Sequence, residues 1–318
     1  MASRANITLK QLEALYWSAT LGSFALAADR LAMTQSALSK RILELESEIG
    51  AALFDRSGSR ARVTEIGERI IPKAAAMLNL CDELLIAGRG AQALRGVCRF
   101  GITQLMAITS LQEIVGTVRR LYPDIVLEPR VDALDLIEDV LRGETDFALA
   151  PGTSLDPALT SEYLTRIELS WVCSPQLFPL IKTINADALQ RYPVISMSAR
   201  AASTNLMNNW ATAKGLKFKE IVASNSPEAV AALTIAGLGI SLLARPFVER
   251  LVATGELRIL PTDPELTMPE LDYFLHWRKD NDRLLPKAVR EIARPICERA
   301  ALSRTHAEPT RALRPSGG

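Results

Sequence analysis

The chain has 318 residues, enough for two or three domains that each bury a core. Hydrophobic residues make up 48 % and charged residues 23 %, with 37 Lys+Arg against 36 Asp+Glu, which excludes a disordered polyelectrolyte and requires any basic surface to be local. No apolar run approaches the roughly 20 residues a membrane helix needs, and the opening MASRANITLK lacks the apolar stretch of a secretory signal, so a cytoplasmic protein that makes no membrane contact is expected.

From Thr8 to Thr20, Leu9, Leu12, Leu15, Tyr16 and Ala19 recur at steps of three and four, which describes one helix face with Thr8 as its N-cap. Gly22 ends that helix and Ser23 caps the next, whose buried face is Phe24, Ala27, Ala28 and Leu31. After a tight break at Ala32-Met33 a third helix starts at Thr34, with Leu38, Ile42 and Leu45 as its inner stripe up to Gly50. The small pair Ala27-Ala28 lets two helices cross closely, and the pattern reads as a helix-turn-helix over about residues 23–42. With Leu38 and Ile42 turned inward, Thr34, Gln35, Ser36, Ser39, Lys40 and Arg41 lie on or near the outward leading edge, where a recognition helix meets base edges and phosphates. Lys40 and Arg41 fall in the front half of this helix and Glu44, Glu46 and Glu48 in its rear half, so only the front suits a phosphate backbone.

The stretch LFDRSGSRARVT reads as a short hairpin, or wing, turning at Ser57 to Ser59, with Arg56, Arg60 and Arg62 placed to straddle a groove edge. Thr64 caps a long helix to about Gly90 on which Ile70, Met77, Leu84 and Ala91 repeat every seven residues, beside Leu80 and Ala87, as in a helix that pairs with another. Lys73 interrupts that seam, packing within the chain also fits, and Pro72 is expected to bend the helix or leave its first turn irregular. GRGAQALRG, from Gly88 to Gly96, reads as a hinge.

Beyond the hinge strands alternate with helices: Val97–Ile102, then a helix Leu105–Leu121, Ile125–Val131, a helix Leu134–Arg142, and Phe147–Ala150. The alternation resumes with Ser170–Ser174, Tyr192–Met197, a helix Thr204–Lys214, Lys219–Ser224, a helix Pro227–Ala236, Gly239–Ala244 and a helix Arg245–Thr254. Such alternation predicts parallel sheets with covered faces, too much for one small sheet and suited to two lobes. A last strand Leu271–Trp277 and a last helix Leu285–Ala300 return to the first lobe, and the polar tail is expected to be disordered. The expected fold class is α/β, with boundaries at 1–65 for the head, 66–93 for the linker helix and 94–304 for the lobed domain. Lobe I takes about 94–165 and 268–302, lobe II about 166–267, and the tail is 305–318.

Cys81, Cys98, Cys173 and Cys297 are far apart with no CxxC spacing, which argues for buried thiols rather than disulfides, zinc or a peroxide sensor. His276 and His306 are the only histidines, and neither sits with a Ser, Cys or carboxylate in a catalytic pattern, so no catalytic residues, metal or cofactor are expected. In open α/β sheets ligands lie beyond the carboxyl ends of strands, against helix starts. Candidates there are Thr103 and Gln104, then Ser196, Ser198, Arg200, Ser203 and Thr204, then Asn225. Simple N-capping is the alternative for Ser203, Thr204 and Ser226.

The segment Leu9 to Ile70, with its small-Ala pair, TQSALS, LELE and LFDR, resembles the LysR-type transcriptional regulators; GETDFALA and IAGLGISLLA resemble signposts of that family's effector domain. Many members place Pro at position 36 and Arg at 40. Ser36 adds a hydroxyl, and Lys40 gives up the bidentate fork to guanine, so base and phosphate both stay open as its contact. The resemblance implies a winged helix-turn-helix joined by a dimerising linker helix to a two-lobed, periplasmic-binding-protein-like effector domain. It also implies a small-molecule effector in the cleft between lobes, which alters how a homotetramer bends promoter DNA, and RNA polymerase as a partner. The rival reading is a two-lobed solute-binding module or enzyme with an incidental helical N-terminus, which has no use for the Thr34 to Arg41 surface.

Overall fold

The computed structural model describes residues 6–55, 62–90, 93–132, 135–199, 201–224 and 226–302. Arg56, Arg60, Arg200 and Asn225, the turn at Ser57–Ser59, part of the expected hinge and the tail lie outside them. The chain divides into two compact units. One gathers the chain up to Ala107 with 111–163 and 274–294; the other holds 108–110, 164–273 and the chain from 295.

The first unit begins with α1 (Leu9–Leu21), α2 (Phe24–Arg30) and α3 (Gln35–Ile49). Thr8 caps α1 in a reciprocal capping box with Gln11, and Ser23 caps α2 by accepting the Leu26 N–H. Leu15, Ala27, Leu38, Ile42 and Leu45 are fully buried in one apolar cluster, which is what the helical spacing demanded. The break between α2 and α3 is a Schellman turn: Met33 N–H donates to Ala28 O at 2.9 Å and Ala32 N–H to Asp29 O at 3.0 Å, with Ala32 at φ +50°. The wing strands β1 (Phe54–Asp55) and β2 (Arg62–Val63) pair antiparallel.

Then α4 (Glu65–Arg89) runs unbroken through Pro72. Thr64 caps it and also donates its hydroxyl to Ala52 O at 2.8 Å, while a Cβ on Gly67 would meet Leu53 O at 2.5 Å, so only glycine lets the helix start this close to the head. Ala74 and Leu78 pack into the head cluster, whereas Met77, Leu80 and Leu84 are exposed.

The lobed part continues with β3 (Gly96–Ile102), α5 (Gln104–Met106), a π-helical turn (Ala107–Leu111), α6 (Gln112–Leu121), β4 (Ile125–Val131), α7 (Leu136–Leu141), β5 (Phe147–Pro151) and β6 (Leu159–Ile167). It goes on with β7 (Leu169–Cys173), α8 (Ala186–Arg191), β8 (Val194–Met197), α9 (Ala202–Ala213), β9 (Glu220–Ser224), α10 (Pro227–Ile235) and β10 (Ile240–Ala244). The last elements are α11 (Arg245–Ala253), β11 (Arg258–Ile259), β12 (Leu271–Arg278) and α12 (Leu284–Leu302).

One five-stranded sheet has the order β4-β3-β5-β12-β6, the other β11-β7-β10-β8-β9. In the first, β3 runs parallel to β4 and to β5, and Phe100 and Phe147, opposite each other, stack at 5.2 Å. The second is mixed: β8 is parallel to β9 and β10, but β7 is antiparallel to both β10 and β11. This corrects the all-parallel expectation: β7 enters its sheet directly from β6 of the other sheet, after the single residue Glu168, and not through a helical crossover from a strand of its own sheet, so the parallel rule for strand–helix–strand units does not bind it. The single helix expected at Leu105–Leu121 is likewise interrupted by the π-helical turn, a local irregularity often found at functional sites.

Candidate functional site

The residues predicted to face DNA are brought together at the front of α3. Thr34 caps the helix by accepting the Ala37 N–H at 3.3 Å, and its hydroxyl lies 3.1 Å from that of Ser36. Gln35, Ser36 and Lys40 are exposed and Ser39 is half-buried beside them, because Leu38 and Ile42 are wholly committed to the core and roll the polar residues outward. Lys40 is held loosely by Glu44 one turn on, at 4.0 Å, with both side chains in solvent, so little free energy opposes its release to a phosphate. Arg41 is half-buried and directs Nη1 to Met33 Sδ at 3.4 Å, which places it at the side of the surface. Arg62 is exposed on β2.

Glu46, which charge patterning alone places with the solvated rear of the helix, is buried and accepts the backbone N–H groups of Leu53 at 2.8 Å and Phe54 at 3.2 Å. The carboxylate ties α3 to the start of the wing. The sequence signal was its position: Glu46 follows Leu45 on the inward side of α3, at helical spacing from Ile42.

Of the expected ligand residues in the first unit, Thr103 is buried at the end of β3 and Gln104 half-buried after it. Thr103 caps α5, accepting the Met106 N–H at 3.4 Å, and its own N–H donates to Leu149 O at 3.4 Å. The π-helical turn follows directly.

In the second unit Ser196, Ser198, Ser203 and Thr204 gather around the end of β8. Ser196 donates its hydroxyl to Glu220, Thr204 donates to Met197 O at 3.3 Å, and Ser203 lies 3.9 Å from Met197 Sδ. Ala201, which has no side chain to cap with, holds the N-cap position of α9, so neither Ser203 nor Thr204 is an N-cap; Ser226 is one, accepting the Ala229 N–H at 3.3 Å. Among the described residues, Ser198 keeps a shielded hydroxyl with no hydrogen-bond partner. The gap among Ser196, Met197, Ser203 and Thr204 measures only about 10 Å³, so a ligand would lie over this hydroxyl cluster and not beneath it.

Two of the four thiols, Cys98 and Cys173, are held away from the low-pKa reactive kind. Burial pushes Cys173 up to about 11, and burial beside Asp146 raises Cys98 well above its ordinary value. Among the described residues no group of three or more His, Cys, Asp or Glu could hold a metal ion, and no helix is long and apolar enough to cross a membrane.

Comparison with known proteins supplies the family. The bacterial regulatory helix-turn-helix of the lysR family matches residues 9–68, and the LysR substrate binding domain matches residues 91–297. A "Probable RuBisCO transcriptional regulator" of Cyanophora paradoxa is 29 % identical over 260 residues, covering 79 % of this chain and 80 % of its own. Full-length OxyR from Pseudomonas aeruginosa is similar in fold with a TM-score of 0.63 at 18 % identity, over 96 % of this chain and all of its own. ArgP from Mycobacterium tuberculosis gives 0.61 at 21 % identity, over 90 % of this chain and 96 % of its own. With a lysR-type helix-turn-helix head followed by a LysR substrate binding domain, the chain belongs to the LysR family of transcriptional regulators.

Proposed function

We propose that this regulator reads promoter DNA with Gln35, Ser36 and Ser39 against base edges and with Thr34, Lys40, Arg41 and Arg62 on or near the backbone, joined by Arg56 and Arg60 from the wing. The observation that carries this is the division of α3 into a fully buried Leu38-Ile42-Leu45 face and an outward polar edge at its N-terminal end. A buried inner face fixes the rotation of the helix about its axis, which a base-reading surface requires.

Thr103 and Gln104 of the first unit and Ser196, Ser198, Ser203 and Thr204 of the second are the effector contacts, with Arg200 and Asn225 completing the set. The shielded Ser198 hydroxyl, without a hydrogen-bond partner among the described residues, favours a ligand with hydrogen-bonding groups. Met77, Leu80 and Leu84, exposed in line on α4, support a homodimer through the linker helix, and homotetramers would follow from pairing of dimers. We place the DNA-binding head at 1–65, the linker helix at 66–93 and the effector-binding domain at 94–304. The protein works in the cytoplasm, performs no catalysis itself, and acts on transcription through RNA polymerase at the promoter.

The test is a titration of the full chain onto duplex DNA from upstream of its own coding sequence at several salt concentrations. Binding that weakens steeply with salt supports the reading; no shift at low salt, with or without cell extract, contradicts it. A thermal-shift screen against metabolites then identifies the effector, because a ligand selective for the folded state raises Tm.

A further inference from the structure

An arginine in the first helix of a helix-turn-helix is ordinarily taken for a phosphate contact. Arg30, near the end of α2, is instead buried. Its Nη2 donates to both carboxylate oxygens of Asp146 at 2.7 Å, and the two side chains are 4 % and 1 % exposed. The guanidinium lies 4.1 Å from the centre of the Trp17 ring, and Nη1 reaches Glu144 O at 3.5 Å. Asp146 stands directly before β5 and also accepts the Arg99 N–H of β3 at 2.9 Å, so one carboxylate is gripped by the DNA-reading head and by the first sheet together.

The surroundings are built to match. Tyr16 donates to Asn281 Oδ1 at 3.4 Å, and Asn281 Nδ2 donates to Asp146 O at 3.5 Å. Gly143, at φ +74°, lies so near the head that a Cβ there would stand 2.8 Å from Thr20 Cγ2. An open cleft of about 470 Å³ flanks the pair, lined in part by Leu21 and Leu26 of the head and by Arg99 and Arg130 of the sheet.

A dry, doubly hydrogen-bonded charge pair is costly to open, since separation leaves two desolvated charges that must be rehydrated, and it tolerates only one relative placement of its partners. We propose that Arg30 and Asp146 form a latch: a positioning pair that seats the head on the first sheet of the effector-binding domain, so that strain at β3 and β5 reaches α2 without passing along the linker helix. The latch rests on the reading of α3 as the DNA-reading element only for its effect on DNA.

The test is hydrogen–deuterium exchange on the full chain, comparing wild type with Arg30→Gln, Asp146→Asn and the double variant. Each single substitution is expected to speed exchange at least tenfold in the other partner's segment, residues 143–147 for Arg30→Gln and 20–32 for Asp146→Asn, and the double variant to go no further than either single. Exchange that rises only around the substituted residue, or effects that multiply in the double variant, overturns the latch. Should Arg30→Gln fail to fold, Arg30→Lys, which keeps the charge but loses the planar group over Trp17 and the Nη1 contact to Glu144 O, takes its place with the same criteria. In DNA titrations Asp146→Asn, a substitution outside the head, is expected to weaken promoter binding at least fivefold and by the same factor as Arg30→Gln. Unchanged or tighter binding by Asp146→Asn overturns the positioning role. A wild-type chain that binds no duplex sinks the DNA reading and leaves the exchange data to judge the latch.

Discussion

The carboxylate of Glu46, buried in the rear half of α3, accepts the backbone N–H of Leu53 at 2.8 Å, and with it the N–H of Phe54. The recognition helix and the start of the wing are therefore one hydrogen-bonded piece. Glu46→Gln keeps an acceptor oxygen but gives up the charge and is expected to cost about 1–3 kcal/mol, with Glu46→Ala costing more, because hydrogen bonds to a charged group are strong and their buried donors would be left unpaired. Urea midpoints of the three proteins check this; Gln and Ala variants as stable as wild type would contradict it.

Ala32 holds a left-handed conformation, φ +50°, in the turn between α2 and α3. A Cβ there costs roughly 1–2 kcal/mol, which Ala32→Gly relieves while adding about 0.5–1 kcal/mol of backbone entropy in the unfolded chain. The net expectation is a gain of up to about 1.5 kcal/mol and a raised Tm with DNA binding unchanged. A lowered Tm would show that the methyl group earns its place by packing.

Thr103 combines a helix cap with a place among the proposed effector contacts. Thr103→Val removes the hydroxyl and is expected to abolish the thermal shift given by the effector and to cost about 1 kcal/mol through the lost cap. Thr103→Ser restores both the cap and the response. A Val variant that still responds in full removes Thr103 from the site.

His276 is buried, with Nε2 3.3 Å from Ala150 O and Nδ1 2.9 Å from the Ser161 hydroxyl. A carbonyl accepts only, so the ring carries its proton on Nε2 and takes the Ser161 hydrogen at Nδ1. Burial lowers its pKa from the ordinary histidine value of 6.5, against the smaller upward pull of hydrogen bonds to Ala150 and Gly152. Because the native ring resists a proton that the unfolded chain accepts, stability contributed by His276 is fully present above pH 6.5 and declines as pH falls below it, by at most about 1.4 kcal/mol per pH unit. Denaturation midpoints at pH 7.5 and 5.5 are expected to fall further for wild type than for His276→Gln. Equal falls would contradict the assignment.

The head was legible from sequence because its apolar residues recur at helical spacing and its caps are chemically distinctive: Thr8, Ser23 and Thr64 cap as their positions implied, and Thr34, read as the first residue of its helix, proves to be the cap. The strand β6, LTSEYLTRI, was not, since its Ser, Thr, Glu and Arg content hides the apolar run that marks a buried strand, and α8 and β11 are too short to show a period. The passage from β6 of one sheet to β7 of the other through the single residue Glu168 is a link that composition does not announce, so β7 was not separable from a helically connected strand. Within the candidate site, local roles such as Ser226 capping α10 were readable, whereas Glu46 reaching the wing and Arg30 finding Asp146, 116 residues away, are tertiary facts that a linear pattern does not contain.

The central claim, that the exposed edge of α3 distinguishes one DNA sequence from another, is met most directly by fluorescence-anisotropy titration of the promoter duplex and a scrambled duplex of equal length at one fixed salt. Wild type is expected to prefer the promoter by about 10³-fold or more. The triple variant Gln35→Ala, Ser36→Ala, Ser39→Ala, if the edge reads bases, keeps binding the scrambled duplex and loses most of that preference. A folded triple variant that discriminates as well as wild type would show that the sequence is read elsewhere.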